Sequence, residues 1–66
     1  MQVFVNDSTL ELPSGATVAQ LLEQLERPAA GIAVEVNRSI VRKRDFGETA
    51  LAEGDRVEIV TFVGGG

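Results

Sequence analysis

The 66-residue sequence contains no cysteine and no histidine. Disulfide staples and Cys/His metal sites are therefore excluded, and the core must hold the fold unaided. The same two absences remove the commonest general base and the strongest nucleophile. Ser8, Ser14 and Ser39 have no base of the right kind to activate them, and the carboxylates alternate with apolar positions as solvated faces do. The chain is expected to be no enzyme, to bind no metal and to hold no cofactor of its own. Long apolar runs are also missing: Met1-Gln2 leads at once into alternating strand residues, and nothing approaches the ~18 residues of a membrane span. We expect neither leader nor membrane partner, and a cytoplasmic location. Basic charge is scarce, with 6 Lys and Arg against 10 Asp and Glu, a net charge of −4 and a pI near 4.5. That balance argues against nucleic acid as a partner. It suits enzymes with basic docking surfaces, and it is also ordinary for a soluble domain.

What is present reads as one small α+β domain. A chain this short buries only about 60% of its unfolded surface, so its margin of stability is narrow. Met1-Gln2-Val3-Phe4-Val5-Asn6 alternates, with Met1, Val3 and Val5 on the core side and Phe4 on the other. Asn6-Asp7-Ser8 turns the chain into Thr9-Leu10-Glu11-Leu12, whose leucines again point inward, giving a hairpin. Thr17-x-x-Gln20 is the reciprocal capping pattern of a helix start. Val18, Leu21, Leu22 and Leu25 then form one apolar stripe, while Gln20, Glu23, Gln24 and Glu26 face water. Pro28 is expected to end this helix, with Glu23 and Arg27 paired across its last turn. Ile32–Val36 and Ile40–Arg42 read as a second hairpin around Asn37-Arg38-Ser39. Glu48–Ala52 is compatible with a helical turn or an ordered loop, Phe46 and Leu51 anchor it, and Gly54-Asp55 turns into a final strand. The architecture expected is a small mixed sheet with one main helix packed across it.

In the final strand, Val57 and Ile59 point inward, which leaves Val60 and Phe62 outside. If the first and last strands are neighbours, Phe4, Val60 and Phe62 form one exposed apolar patch, the kind of surface that marks a docking site; scattered surface apolar residues are the alternative. The Arg42-Lys43-Arg44 cluster lacks interleaved aromatics and reads as a solvated turn, or as a surface for an acidic partner.

Residues 1–63 form the domain, and Gly64-Gly65-Gly66 a flexible tail. Glycine loses the most freedom on ordering and adds nothing to a core, so a fold gains no stability from this run. Three glycines reach about 10 Å past the last packed residue, enough to thread a narrow channel in another protein. The alternative is a frayed terminus or an expression scar. A terminal carboxylate becomes an acyl donor once its oxygen attacks the α-phosphate of ATP, with the charge stabilised by an activating enzyme. A sulfur donor can then displace AMP and leave a thiocarboxylate. Lys43 is the sole lysine and there is no thiol, so the activated end meets few nucleophiles on its own chain.

The sequence also resembles a known family, the ubiquitin-like β-grasp sulfur carriers of thiamine biosynthesis, the ThiS family. The residues that carry the resemblance are Met1–Asn6, Gly15-x-Thr17-Val18-x-x-Leu21-Leu22 and Val34-x-Val36-Asn37. The closing block Leu51-x-Glu53-Gly54-Asp55-x-Val57-Glu58-Ile59-Val60, running into Val63-Gly64-Gly65-Gly66, is the most specific. The resemblance implies a β-grasp fold and adenylation of Gly66 by an E1-like enzyme that consumes ATP. Conversion to a thiocarboxylate by a sulfur-donor system and delivery of sulfur to thiazole synthase would follow, with Gly65 and the extra Gly64 threading into the partners. Where the family has Pro-Arg and a later Trp, this chain has Arg42-Lys43-Arg44-Asp45-Phe46. A carrier for molybdopterin or amino-acid biosynthesis, a non-catalytic ubiquitin-like interaction module, and a lysine-conjugated modifier are the competing readings.

Overall fold

The alternating amino end pairs on itself: β1 (Gln2–Val5) runs antiparallel to β2 (Ser8–Glu11), with Val3 opposite Leu10. The computed structural model describes residues 1–62; the expected boundary at residue 63 and the glycine tail lie outside them. Thr17 caps α1 (Val18–Gln24) as its spacing anticipates: the Gln20 amide donates to Thr17 Oγ1 at 3.2 Å, and the Thr17 amide donates to Gln20 Oε1 at 2.8 Å. Val18, Leu21 and Leu22 are buried, and Leu25 is partly buried. Proline does not end the helix. The chain leaves it at Leu25 through a Schellman motif, in which the Glu26 and Arg27 amides donate to the carbonyls of Glu23 and Leu22 at 3.0 and 2.9 Å. Glu26 stands at a φ of 57°, a position where glycine is usual. Arg27 thus lies beyond the helix, and its expected pairing with Glu23 is replaced by donation of Nη1 to Thr61 Oγ1 at 3.2 Å.

β3 (Ile32–Val36) and β4 (Ser39–Val41) form the second hairpin, closed by Asn37 and Arg38, both at positive φ as a tight two-residue turn demands. A 3-10 turn follows at Lys43–Asp45, so Glu48–Ala52 is the ordered loop of the two options, with Ala50 bridged to Thr17. Phe46 and Leu51 are each 4% exposed and serve as the anchors expected of them. Gly54, at a φ of 84°, turns the chain into β5 (Arg56–Thr61).

That last strand enters the middle of the sheet, which has the order β2-β1-β5-β3-β4. It pairs parallel with β1 and antiparallel with β3. The result is the expected α+β fold, a mixed five-stranded sheet with α1 across one face. Val3, Val34 and Val57 from the sheet meet Val18 and Leu21 from the helix, all essentially inaccessible to solvent. Each such side chain contributes about 1.5–3 kcal/mol by burial.

Two asparagines complete the ladders of β5. Asn6, at a φ of 52°, accepts from the Ile59 amide through Oδ1 at 2.9 Å and donates through Nδ2 to the Ile59 carbonyl at 3.3 Å. Its side chain thereby stands in for one more residue of β1. Asn37 accepts from the Arg56 amide at 3.0 Å and donates to Asp55 Oδ1 at 3.0 Å. Asparagine tolerates the left-handed region better than other non-glycine residues, so it combines a turn with a ladder rung. Asn6→Ala loses both bonds, at about 1 kcal/mol each, and puts alanine at a strained φ for a further cost of about 1 kcal/mol. Urea unfolding is expected to register a loss of about 2–3 kcal/mol for Asn6→Ala and clearly less for Asn6→Gly. Equal losses would mean that strain plays no part.

Candidate functional site

The outer face of the sheet, opposite α1, is where the expected site residues fall. Phe4 is 37% exposed, Val60 53% and Phe62 62%. The condition for a single patch is met, because β1 and β5 are neighbours, but their register divides it. Phe4 lies opposite Arg56, and Val60 is four residues farther along β5, about 13 Å away at strand rise. Arg56 holds its guanidinium carbon 5.1 Å from the centre of the Phe4 ring, a cation–π contact. The three residues therefore belong to two separate apolar areas.

Between those areas runs a charged band. Glu58 lies opposite Glu35, and these two with Arg38 and Arg56 line a surface hollow of about 450 Å³. Like charges directly opposite on adjacent strands repel. Among the described residues the ion pairs within 4.0 Å are Met1 amino–Glu11 and Arg44–Asp45, so neither glutamate of the band is paired at that distance. Ile40, opposite Glu35, is 74% exposed on the same face. It is not among the residues expected on this face, although period-two alternation beside a partly buried Val41 signals it.

The Val60 end of the face is the root of the tail. Val60 pairs with Ala33, and the Phe62 amide donates to the Gly31 carbonyl at 2.9 Å, one rung past the end of β5. On the other side of the sheet Arg27 holds the Thr61 hydroxyl. β5 is thus fixed in direction up to Phe62, with two apolar side chains exposed beside the point where the tail departs. Gly64, Gly65 and Gly66 lie outside the described residues. Among the described residues, no three His, Cys, Asp or Glu side chains come together as a metal site, and no helix is long and apolar enough to cross a membrane.

The whole chain, residues 1–66, matches the model of the ThiS family. It is 33% identical over 66 residues to the sulfur carrier protein ThiS of Escherichia coli (strain K12), and the match covers all of both chains. It is 36% identical over 66 residues to a thiazole synthase of Paramagnetospirillum magneticum (strain ATCC 700264 / AMB-1). All of this chain is covered there, but only 20% of that protein. The crystal structure of the thiamine biosynthesis protein (ThiS) from Geobacter metallireducens superimposes with a TM-score of 0.84 at 30% identity, covering 100% of each chain.

Reversing one charge of the band tests its electrostatics. Glu58→Lys converts an opposed like-charge pair into an attractive one and is expected to raise stability by about 0.2–1 kcal/mol. The gain should shrink at high salt in denaturant titrations, and a loss of stability would mean that Glu58 makes a favourable contact instead.

Proposed function

This chain belongs to the ThiS family, and on that footing we propose that it is a sulfur carrier whose Gly66 carboxylate becomes the thiocarboxylate that donates sulfur to the thiazole of thiamine. Its fold is the ubiquitin-like β-grasp. The observation that carries the reading is the end-to-end match to a sulfur carrier protein of the same length. A segment similar to the entire chain also lies within a thiazole synthase. That supports a thiazole synthase as the recipient, over an enzyme of molybdopterin or amino-acid biosynthesis.

The chemistry belongs to the partners, and the carrier is their co-substrate. In an E1-like enzyme a Gly66 carboxylate oxygen attacks the α-phosphorus of ATP and pyrophosphate leaves. Sulfur from a donor system then attacks the carbonyl carbon, and AMP departs with that oxygen. The net change is one oxygen replaced by sulfur. The carrier contributes reach and openness: Gly64 and Gly65 have no Cβ to obstruct a tunnel, and Gly66 leaves both faces of its carbonyl accessible. The folded part is the handle. Val60 and Phe62, beside the tail root, are the docking residues for the activating enzyme, and Phe4 with Arg56 is a separate contact farther down the sheet.

Intact-mass measurement after incubation with the adenylating enzyme, ATP and a sulfur donor is expected to register the exchange of one oxygen for sulfur. Replacing Gly65 and Gly66 together by alanine should abolish that gain while leaving the circular dichroism unchanged. An undiminished gain would remove the tail from the mechanism. Val60→Asp or Phe62→Asp should raise the Kd for the activating enzyme by about tenfold or more, the effect of losing a buried anchor. Calorimetry giving the wild-type Kd for both would move docking elsewhere.

A further inference from the structure

The helix side of the molecule carries a feature that the tail chemistry leaves unused. A cavity of about 360 Å³ opens between the end of α1 and the 3-10 turn, with Ala19, Leu22, Ala29 and Phe46 as an apolar floor. Arg27 and Lys43 also line it, together with one acidic residue, Glu23. Arg42 and Arg44 continue the positive charge along the adjoining turn, Arg44 partly offset by Asp45 at 4.0 Å. Two of the six basic residues thus line the cavity, and two more flank Lys43 in sequence.

Three occupants fit an apolar floor with a cationic edge less well than a fourth. Nucleic acid would use the cations, but the ring of Phe46 is buried and gives bases no stacking surface. A compact small molecule would fill the floor and leave Arg42 and Arg44 beyond its reach. A second copy meeting this site through the same site, as two-fold pairing requires, would set cations against cations. An extended acidic segment uses both floor and edge. Arg27 donates one of its five N–H groups to Thr61, and among the described residues the others make no hydrogen bond or ion pair.

We propose that this cavity is a second docking site, for an acidic peptide segment of a partner protein that lays an apolar side chain on the floor shared by Ala19, Leu22, Ala29 and Phe46 and sets its carboxylates against Arg27 and Lys43. The site faces away from the outer sheet face, so it can be occupied while Val60 and Phe62 are engaged. It stands on charge and shape alone and does not depend on the sulfur chemistry.

The test is a titration of the ¹⁵N-labelled full chain with the capped peptide Asp-Glu-Leu-Phe-Glu-Asp. Its charge-reversed form Lys-Lys-Leu-Phe-Lys-Lys and its anchor-free form Asp-Glu-Ala-Ala-Glu-Asp serve as comparisons. The acidic peptide is expected to shift the amides of Leu22, Phe46 and Gly47 saturably and to leave Glu58 and Val60 in place. Lys43→Glu, a change at an exposed side chain that spares the fold, should weaken it by about tenfold, and Arg27→Glu with Lys43→Glu further still. The proposal is overturned if the basic peptide binds as well as the acidic one, if the anchor-free form binds equally, or if Lys43→Glu has no effect. It is also overturned if the cavity amides shift on dilution of the free protein, which would make a second copy the occupant.

Discussion

Insertion of β5 between β1 and β3 is the constraint on which the rest of the molecule depends. The strand carries Val57 and Ile59 into the core and joins two hairpins that otherwise do not touch through the sheet. A parallel pair needs a crossover of a dozen residues or more between its strands, and here nearly the whole chain, α1 included, separates β1 from β5. The loop closure this demands is costly. The two ladders, extended by the Asn6 and Asn37 side chains, are what offset it. Each asparagine adds two side-chain hydrogen bonds beside β5 without adding length to a strand. In a domain with a small core and no covalent staple, such bonds are a large fraction of the margin.

A central last strand also governs the surface. Alternation along β5 sends Arg56, Glu58 and Val60 to the outer face in that order, so charge and apolar area share one sheet by sequence order. The glutamate band keeps the two apolar areas from merging into a single large patch, which would favour aggregation. It does so at the expense of opposing Glu58 with Glu35. The same alternation brings the strand to its end with the apolar side chains of Val60 and Phe62 exposed.

Much of this was legible in the residues because each signal was local. The capping box at Thr17 and Gln20, the stripe from Val18 to Leu25, the inward Val57 and Ile59 and the anchors Phe46 and Leu51 all follow from spacing over a few positions. What escaped was decided by pairs distant in sequence. Phe4 and Val60 do lie outside on neighbouring strands, but no local pattern says that Phe4 aligns with Arg56, and that register breaks the patch. Arg27 belongs to no helical turn because backbone geometry at Glu26 ends the helix before Pro28. Its hydroxyl partner is 34 residues away. Ile40 was readable, since its strand alternates too, but three residues give a weak period. The tail was read from composition and family likeness, and its residues lie outside those described.

A carrier that gives up its sulfur to an enzyme must also let that enzyme go. Among related complexes the rate of release varies more than the rate of capture, and it follows the quality of packing more than the area buried. If Val60 and Phe62 dock a partner as proposed, they make a small anchor, and a tail without side chains would add little grip of its own. Specificity then has to come from elsewhere: from charge, which steers encounter without holding the product. The outer face mixes Glu35 and Glu58 with Arg38 and Arg56, while on the helix side Arg27 and Lys43 stand with one glutamate, so the two faces carry different charge patterns. With β5 rigid between them, an enzyme reading one face leaves the other available to the next.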